Sequence, residues 1–251
     1  MTAADLFDDA GMAAGYATDR PPVHPHLVDR LRTAWSPAAP VRIAVDVGCG
    51  AGASTAALRG WAGVVVGIDP FAPMIRAART AVAGSVFAVA AAERLPCAGA
   101  SVDLLTAAGS LNYADLDAFV GEADRVLRPG GAIAVSNYAF GRPETAGVTP
   151  DWPERFAAEF PRPASRPVDA ASFAAGPFRP AVDEQFTVSL PMRRDAYLAY
   201  VMTDTGVARA VADGADPSSA RAWCADALAA VPDREMRVAF DCTLLVLVRS
   251  S

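Results

Sequence analysis

An α/β fold built on a doubly wound, mostly parallel sheet is predicted by three features of this chain. Short apolar runs alternate with helix-compatible segments from residue 41 to about 137, a glycine-rich turn follows the first run, and an acid closes the second. The first strand is expected at 43–47. It runs into Val45-Asp46-Val47-Gly48-Cys49-Gly50-Ala51-Gly52, and Ser54-Thr55-Ala56-Ala57-Leu58 then continues as a helix. Glycines at 48, 50 and 52 can adopt positive φ and let a ligand approach the backbone, next to the unpaired amides of a helix start. Further strands are expected near 64–69, 86–90, 102–107 and 132–136. A helix is expected from an Asp115 N-cap through Leu116, Phe119, Val120, Ala123, Val126 and Leu127, stopped by Pro129-Gly130-Gly131.

The flanks read differently. Residues 1–37 form an N-terminal helical lid, Leu6 to Tyr16 first and then Leu27, Leu31 and Trp35 at helical spacing after a proline pair. Beyond Tyr138 the alternation fails: Pro150, Pro153, Pro161, Pro163, Pro167, Pro177 and Pro180 punctuate an insertion over 139 to about 180. Phe186–Leu190 and Thr243–Val248 read as the last two strands, separated by helices near 193–212 and from Asp216-Pro217 to about 230. The division is thus 1–37 lid, 38–140 ligand-binding core, and 141–251 cap plus closing strands.

Composition narrows the chemistry. The 251 residues carry a net charge of −6 and contain no lysine, so Schiff-base chemistry and a phosphate-loop lysine are excluded. Acidity opposes capture by nucleic acid or an anionic membrane and favours a small-molecule partner. Cys49, Cys97, Cys224 and Cys242 show no metal-ligand spacing and only two histidines are present, so no metal site is expected. Free thiols, the absence of a long apolar run and the non-basic Met1-Thr2-Ala3 start lead us to expect a cytoplasmic protein. The apolar cap allows a homodimer.

Asp69, at the end of Val64-Val65-Val66-Gly67-Ile68, lies about twenty residues past the glycines, where an acid suits ribose hydroxyls. Asp46 precedes the first glycine by two residues, where a carboxylate would repel a pyrophosphate but tolerates a ligand with a cationic amine and sulfonium. With these residues the chain resembles the class I S-adenosylmethionine-dependent methyltransferases, and within them the small-molecule branch of trans-aconitate-methyltransferase-like enzymes. Tyr16 to Pro25 resembles that family's Y-x-x-x-R-P-x-x-P segment, Ile68-Asp69-Pro70-Phe71-Ala72-Pro73-Met74 its second-strand motif, and Ala92-Glu93-Arg94-Leu95-Pro96 its adenine-side segment. Ser101 to Leu105 and Val126 to Gly131 match its fourth strand and the turn before the fifth.

The resemblance implies a Rossmann-like seven-stranded sheet with one antiparallel strand, and S-adenosyl-L-methionine as cofactor with S-adenosyl-L-homocysteine as product. It also implies roles: Gly48, Gly50 and Gly52 flank the methionine portion, Asp46 anchors its amino end through water or amides, and Asp69 with Pro70 takes the ribose. Met74 and Phe71 pad the adenine, Ala92 and Glu93 read its edge, Ala108 offers a carbonyl to the ammonium, and Tyr16 and Arg20 serve as lid or carboxylate clamp. The family's D-A-E is Ala91-Ala92-Glu93 here, and its histidine after strand four gives way to Ser110-Leu111-Asn112-Tyr113. Asn112, Tyr113 and Tyr138 are the candidate catalytic groups, with His24, Asn137 and Trp152 beside the acceptor. A general base is sought among His24, His26, the tyrosines and a cap carboxylate. Methyl transfer to O, N or C of a small molecule in specialised biosynthesis is the leading expectation. A non-methylating enzyme that uses the same sulfonium, a nicotinamide oxidoreductase and an inactive binding subunit stand as alternatives.

Overall fold

The computed structural model describes residues 4–37, 39–144, 151–229 and 235–250. Met1, Thr2, Ala3 and Pro150, on which part of the sequence reading rests, lie outside them. A 3-10 turn at Ala4–Phe7 leads to α1 (Ala10–Thr18), which starts where the Asp9 carboxylate accepts the Met12 amide at 2.7 Å. α2 (His24–Ala34) follows the proline pair. The alternating core then runs β1 (Ile43–Val47), α3 (Ala53–Leu58), β2 (Val64–Asp69), α4 (Ala72–Ala81), β3 (Val86–Val89), β4 (Val102–Ala108), α5 (Leu116–Val126) and β5 (Leu127–Tyr138). After it come β6 (Arg142–Pro143), α6 (Trp152–Glu159), β7 (Phe178–Arg193), α7 (Arg194–Val201), α8 (Thr205–Ala212), α9 (Pro217–Ala227) and β8 (Glu235–Arg249).

The strands lie in the order β3-β2-β1-β4-β5-β8, with β7 outermost against β8. β1 to β5 pair in parallel and β8 is antiparallel to β5, so the α/β fold has the expected mostly parallel sheet with one reversed strand. The two-residue β6 resumes the pairing of β5 along the same edge of β8 and is additional to the seven expected strands. Two-residue periodicity sends side chains to opposite faces. Val45, Leu105 and Ile133 pack with Phe119, Ala123 and Val126 of α5, whereas Ala44, Leu104 and Ala134 pack with Leu31 and Trp35. α2, expected as part of a lid, therefore covers a sheet face.

Three boundaries differ from expectation. α5 ends at Val126 with Leu127 already extended, so Pro129-Gly130-Gly131 falls inside β5 rather than terminating the helix. The helix expected over 193–212 is broken at 202–204, where the Asp204 side chain caps α8 through the Gly206 amide at 2.8 Å. β7 and β8 are 16 and 15 residues long, far longer than the apolar cores read from the sequence. Their extra length forms a ribbon beyond the main sheet. Leu190, Met192, Met236, Val238 and Phe240 line it, and Trp152, Phe156, Phe160, Tyr197, Val207 and Cys224 of the cap pack there.

Tyr197 ties this second core together. Its hydroxyl donates to the Gly141 carbonyl at 2.7 Å and accepts the Trp152 indole N–H at 2.9 Å, all three being buried. Tyr197→Phe strands a buried donor and a buried acceptor, and a loss of about 2 kcal/mol in urea unfolding is expected. No helix of the described residues is long and apolar enough to cross a membrane.

Candidate active site

A cavity of about 570 Å³ opens at the carboxyl ends of β1, β2, β4 and β5, where the strand order reverses between β1 and β4. Its floor is the β1–α3 turn, its roof the N-terminal segment, and its far wall the cap.

The turn owes its shape to glycine at specific places. Gly48 has φ +66°, and a Cβ there would lie 2.3 Å from the Ser110 Cβ. Gly50, at φ +52°, faces the cavity with Tyr16 as its nearest neighbour. Gly52, at φ +92°, packs against Val82, Ala78 and Phe87 instead and does not line the cavity. Its expected ligand contact is thus corrected to a packing role at the start of α3. Asp46 is fully buried behind the turn and accepts hydroxyls from Ser54 and Thr55 at 2.6 Å each and from Thr106 at 3.0 Å, so it braces the loop, and any hold on a ligand amine is indirect. Burial raises its pKa and the three donors oppose the rise.

Asp69 does reach the cavity. One carboxylate oxygen accepts the Gly50 amide at 3.0 Å and the other the Phe71 amide at 2.9 Å, which fixes the acid against the turn and leaves lone pairs on both oxygens. Burial raises this carboxyl also. Pro70, Phe71 and Met74 continue the wall from the start of α4, and Ala92 and Glu93 face them. Glu93 accepts the Asp115 amide at 2.7 Å, which ties the adenine-side loop to the start of α5. Ala108 lines the cavity at the end of β4.

The other half of the cavity is aromatic and cationic. The Arg20 guanidinium lies 4.5 Å from the Tyr16 ring centroid and 5.5 Å from those of Tyr138 and Tyr200. It donates to the Thr203 hydroxyl at 3.4 Å, and among the described residues no carboxylate pairs with it. The neighbouring tyrosines hold Arg20 protonated despite its burial, while burial raises Tyr16 and Tyr113 and pushes Tyr200 to about 12. His24 lines the same region, its ring edge-on to Tyr138 at 5.7 Å. Burial, with Arg20 adding to it, drives the imidazole down to about 4. The Tyr138 hydroxyl is sealed from solvent without a hydrogen-bond partner.

Asn112, Tyr113 and Asn137 also line the cavity, whereas His26 is exposed and away from it. Trp152 is a correction: it is fully buried in the cap core, bonded to Tyr197 and stacked on Trp223 at 5.8 Å, and does not face the acceptor space. The apolar face of α6 buries it, and its lone N–H is already used. Sequence reasoning missed Phe7, Phe140, Arg162, Tyr200 and Asp204, which complete the walls. Phe7 sits edge-on to Tyr113 at 5.4 Å, and Arg162 grips Asp204 through Nε and Nη2 while its guanidinium lies 5.2 Å from the Phe140 centroid. Only Phe7, an aromatic beside a helix start, left a local signal.

Residues 45–135 match the model of the methyltransferase domain. A curated protein of Mycobacterium tuberculosis described as an uncharacterized methyltransferase is 32% identical over 132 residues, 52% of either chain. The malonyl-[acyl-carrier protein] O-methyltransferase of Pseudescherichia vulneris is 34% identical over 98 residues, 39% of either chain. The chain thus spans about half the length, or less, of these curated relatives. A solved structure described as a type II methyltransferase from Anaeromyxobacter dehalogenans superimposes with a TM-score of 0.69 at 29% identity, covering 88% of this chain and 94% of that one. The geranyl diphosphate C-methyltransferase of Streptomyces coelicolor, in complex with Mg2+, geranyl diphosphate and S-adenosyl-L-homocysteine, shares the fold. Its TM-score is 0.50 at 16% identity, with coverage of 90% and 77%.

Proposed function

We propose methyl transfer to a small-molecule acceptor as the activity of this chain, which belongs to the class I S-adenosylmethionine-dependent methyltransferases. The observation that carries the reading is the pairing, in one cavity, of a glycine-relieved turn held by Asp69 with an arginine that has no carboxylate partner.

The residues present fit S-adenosylmethionine. Asp69 keeps lone pairs for two ribose hydroxyls, Gly50 leaves backbone open where a side chain would intrude, and Phe71 and Met74 supply apolar surface for adenine. Arg20, caged by three tyrosines, is suited to the amino-acid carboxylate, and Ala108 is placed to offer a carbonyl to the ammonium. When bound, this cofactor supplies a methyl already activated on sulfonium, so the protein's task is alignment and exclusion of water. The Arg162–Asp204 pair and the rings of Phe7, Tyr113 and Phe140 close the cavity, Asn112 and Asn137 present polar atoms to an acceptor, and Tyr138 lines the same space. The aromatic and amide lining of the part left to an acceptor suits a flat or partly apolar small molecule, and a metabolite of specialised biosynthesis is the acceptor class we propose.

Isothermal titration with S-adenosylhomocysteine tests the reading. Micromolar binding is expected, and no heat at millimolar ligand would defeat it. Release of S-adenosylhomocysteine with a methyl-sized mass gain on the acceptor separates transfer from a reaction that leaves the cofactor intact.

A further inference from the structure

We propose that His24 takes the acceptor's proton during transfer and that a carboxylate docking on Arg20 readies it to do so. This rests on the cofactor reading above, and it narrows the acceptor to a group that loses an O–H or N–H proton as it is methylated.

Position is the first argument. His24 is the first residue of α2, set into the cavity wall against Tyr138, whose ring Arg20 also approaches, and neither ring nitrogen has a hydrogen-bond partner among the described residues. A half-buried imidazole in the cavity wall with both nitrogens unused is free to meet a group the protein does not supply. The cavity carboxylates, by contrast, are engaged. Asp69 holds two amides, Glu93 holds the Asp115 amide, and Asp204 is gripped by Arg162 and by the Gly206 amide. Tyr16, Tyr113 and Tyr200 are pushed upward by burial, so they are fully protonated near neutral pH.

Electrostatics supplies the second argument. Three influences keep His24 neutral: burial, the Arg20 charge beside it, and its place at the positive end of a helix. Tyr138 packs on it edge-on from β5. Asp46 lies across a small void from β1, its carboxylate enclosed by three hydroxyls. An imidazole depressed to about 4 is deprotonated at neutral pH yet a weak base. A carboxylate paired with Arg20 offsets the charge repulsion, the lesser of the two causes after burial, so basicity rises in part and the base is stronger in the loaded site than in the free one. In the transfer itself the acceptor's lone pair bonds to the methyl carbon and the carbon–sulfur bond breaks with its electron pair left on sulfur. The acceptor's proton moves to an imidazole nitrogen of His24 and from there to solvent.

Two histidines make the test direct, because His26→Asn leaves His24 as the sole imidazole. Its ring C–H resonances are followed against pH in three states: free, with S-adenosylhomocysteine, and with 5′-methylthioadenosine, which lacks the amino-acid portion. The free protein is expected to titrate close to 4, S-adenosylhomocysteine to move the midpoint upward by the share owed to Arg20 while burial keeps it below the ordinary value, and 5′-methylthioadenosine to leave it low. Adding Arg20→Gln should raise the free midpoint and abolish the response. A free midpoint near 6.5, or a low one that stays put while calorimetry shows S-adenosylhomocysteine bound, overturns the proposal. Absence of S-adenosylhomocysteine binding instead removes the cofactor reading beneath it. On the first acceptor that turns over, His24→Asn should lower kcat about 100-fold with S-adenosylhomocysteine affinity intact, and an unchanged kcat overturns the assignment.

Discussion

Asp69→Ala is expected to weaken S-adenosylhomocysteine binding by about 100-fold or more in isothermal titration. The carboxylate sits at the carboxyl end of β2, 6% exposed, and its oxygens have lone pairs left after accepting the Gly50 and Phe71 amides. Two ribose hydroxyls donating into those lone pairs make charge-assisted bonds, each worth about 1.5 to 3 kcal/mol. Losing both costs about 3 kcal/mol or more, which is the stated fold-change. The two amides lose their acceptor as well, so Gly50 is no longer held where the ligand needs it. Asp69→Asn separates these contributions. The amide keeps an acceptor for one backbone N–H but turns a donor towards the other and carries no charge, so it should fall between wild type and alanine. Full affinity in Asp69→Ala would mean that the acid only anchors the turn and that the ribose lies elsewhere.

The same residue shows why part of the site could be read in advance. Asp69 and the Gly48–Gly52 turn are local: a strand must end, a helix must begin, and the residues that allow it are adjacent in the chain. The parallel core was legible for the same reason, since its strands bury both faces and read as continuous apolar runs. Asp46 shows the limit. Its position beside the glycines suggested a ligand, but the three hydroxyls that absorb it come from α3 and from β4, the latter 60 residues away, and no local pattern reveals that closure. The cap was harder still. In β7, Val188, Leu190 and Met192 alternate inward as a strand should, but Pro180 and Pro191 interrupt the pattern, tolerated because, among the described residues, β7 pairs with β8 alone. Trp152 was misassigned because a tryptophan looks the same in sequence whether its indole faces a ligand or Tyr197.

Gly48→Ala should destabilise the protein by about 2 to 5 kcal/mol in denaturant unfolding. Two effects add. At φ +66° an alanine occupies the left-handed region, at a cost of about 1 to 2 kcal/mol. Its methyl would also lie 2.3 Å from the Ser110 Cβ and 2.8 Å from its Oγ, well inside van der Waals contact, and overpacking of this kind costs about 1 to 3 kcal/mol. Neither side can yield easily. The Ser110 hydroxyl donates to the Val47 carbonyl at 2.6 Å, and the Cys49 amide donates to the Ile68 carbonyl at 2.8 Å, so the turn is pinned between β2 and the loop after β4. Ser110→Gly in the Gly48→Ala background removes the obstructing Cβ while forfeiting one hydrogen bond. The double variant should therefore be more stable than Gly48→Ala alone yet less stable than wild type, with a coupling of at least 1 kcal/mol in the double-mutant cycle. Additive losses would show that the left-handed backbone, and not the approach of Ser110, is what demands glycine at the head of this turn.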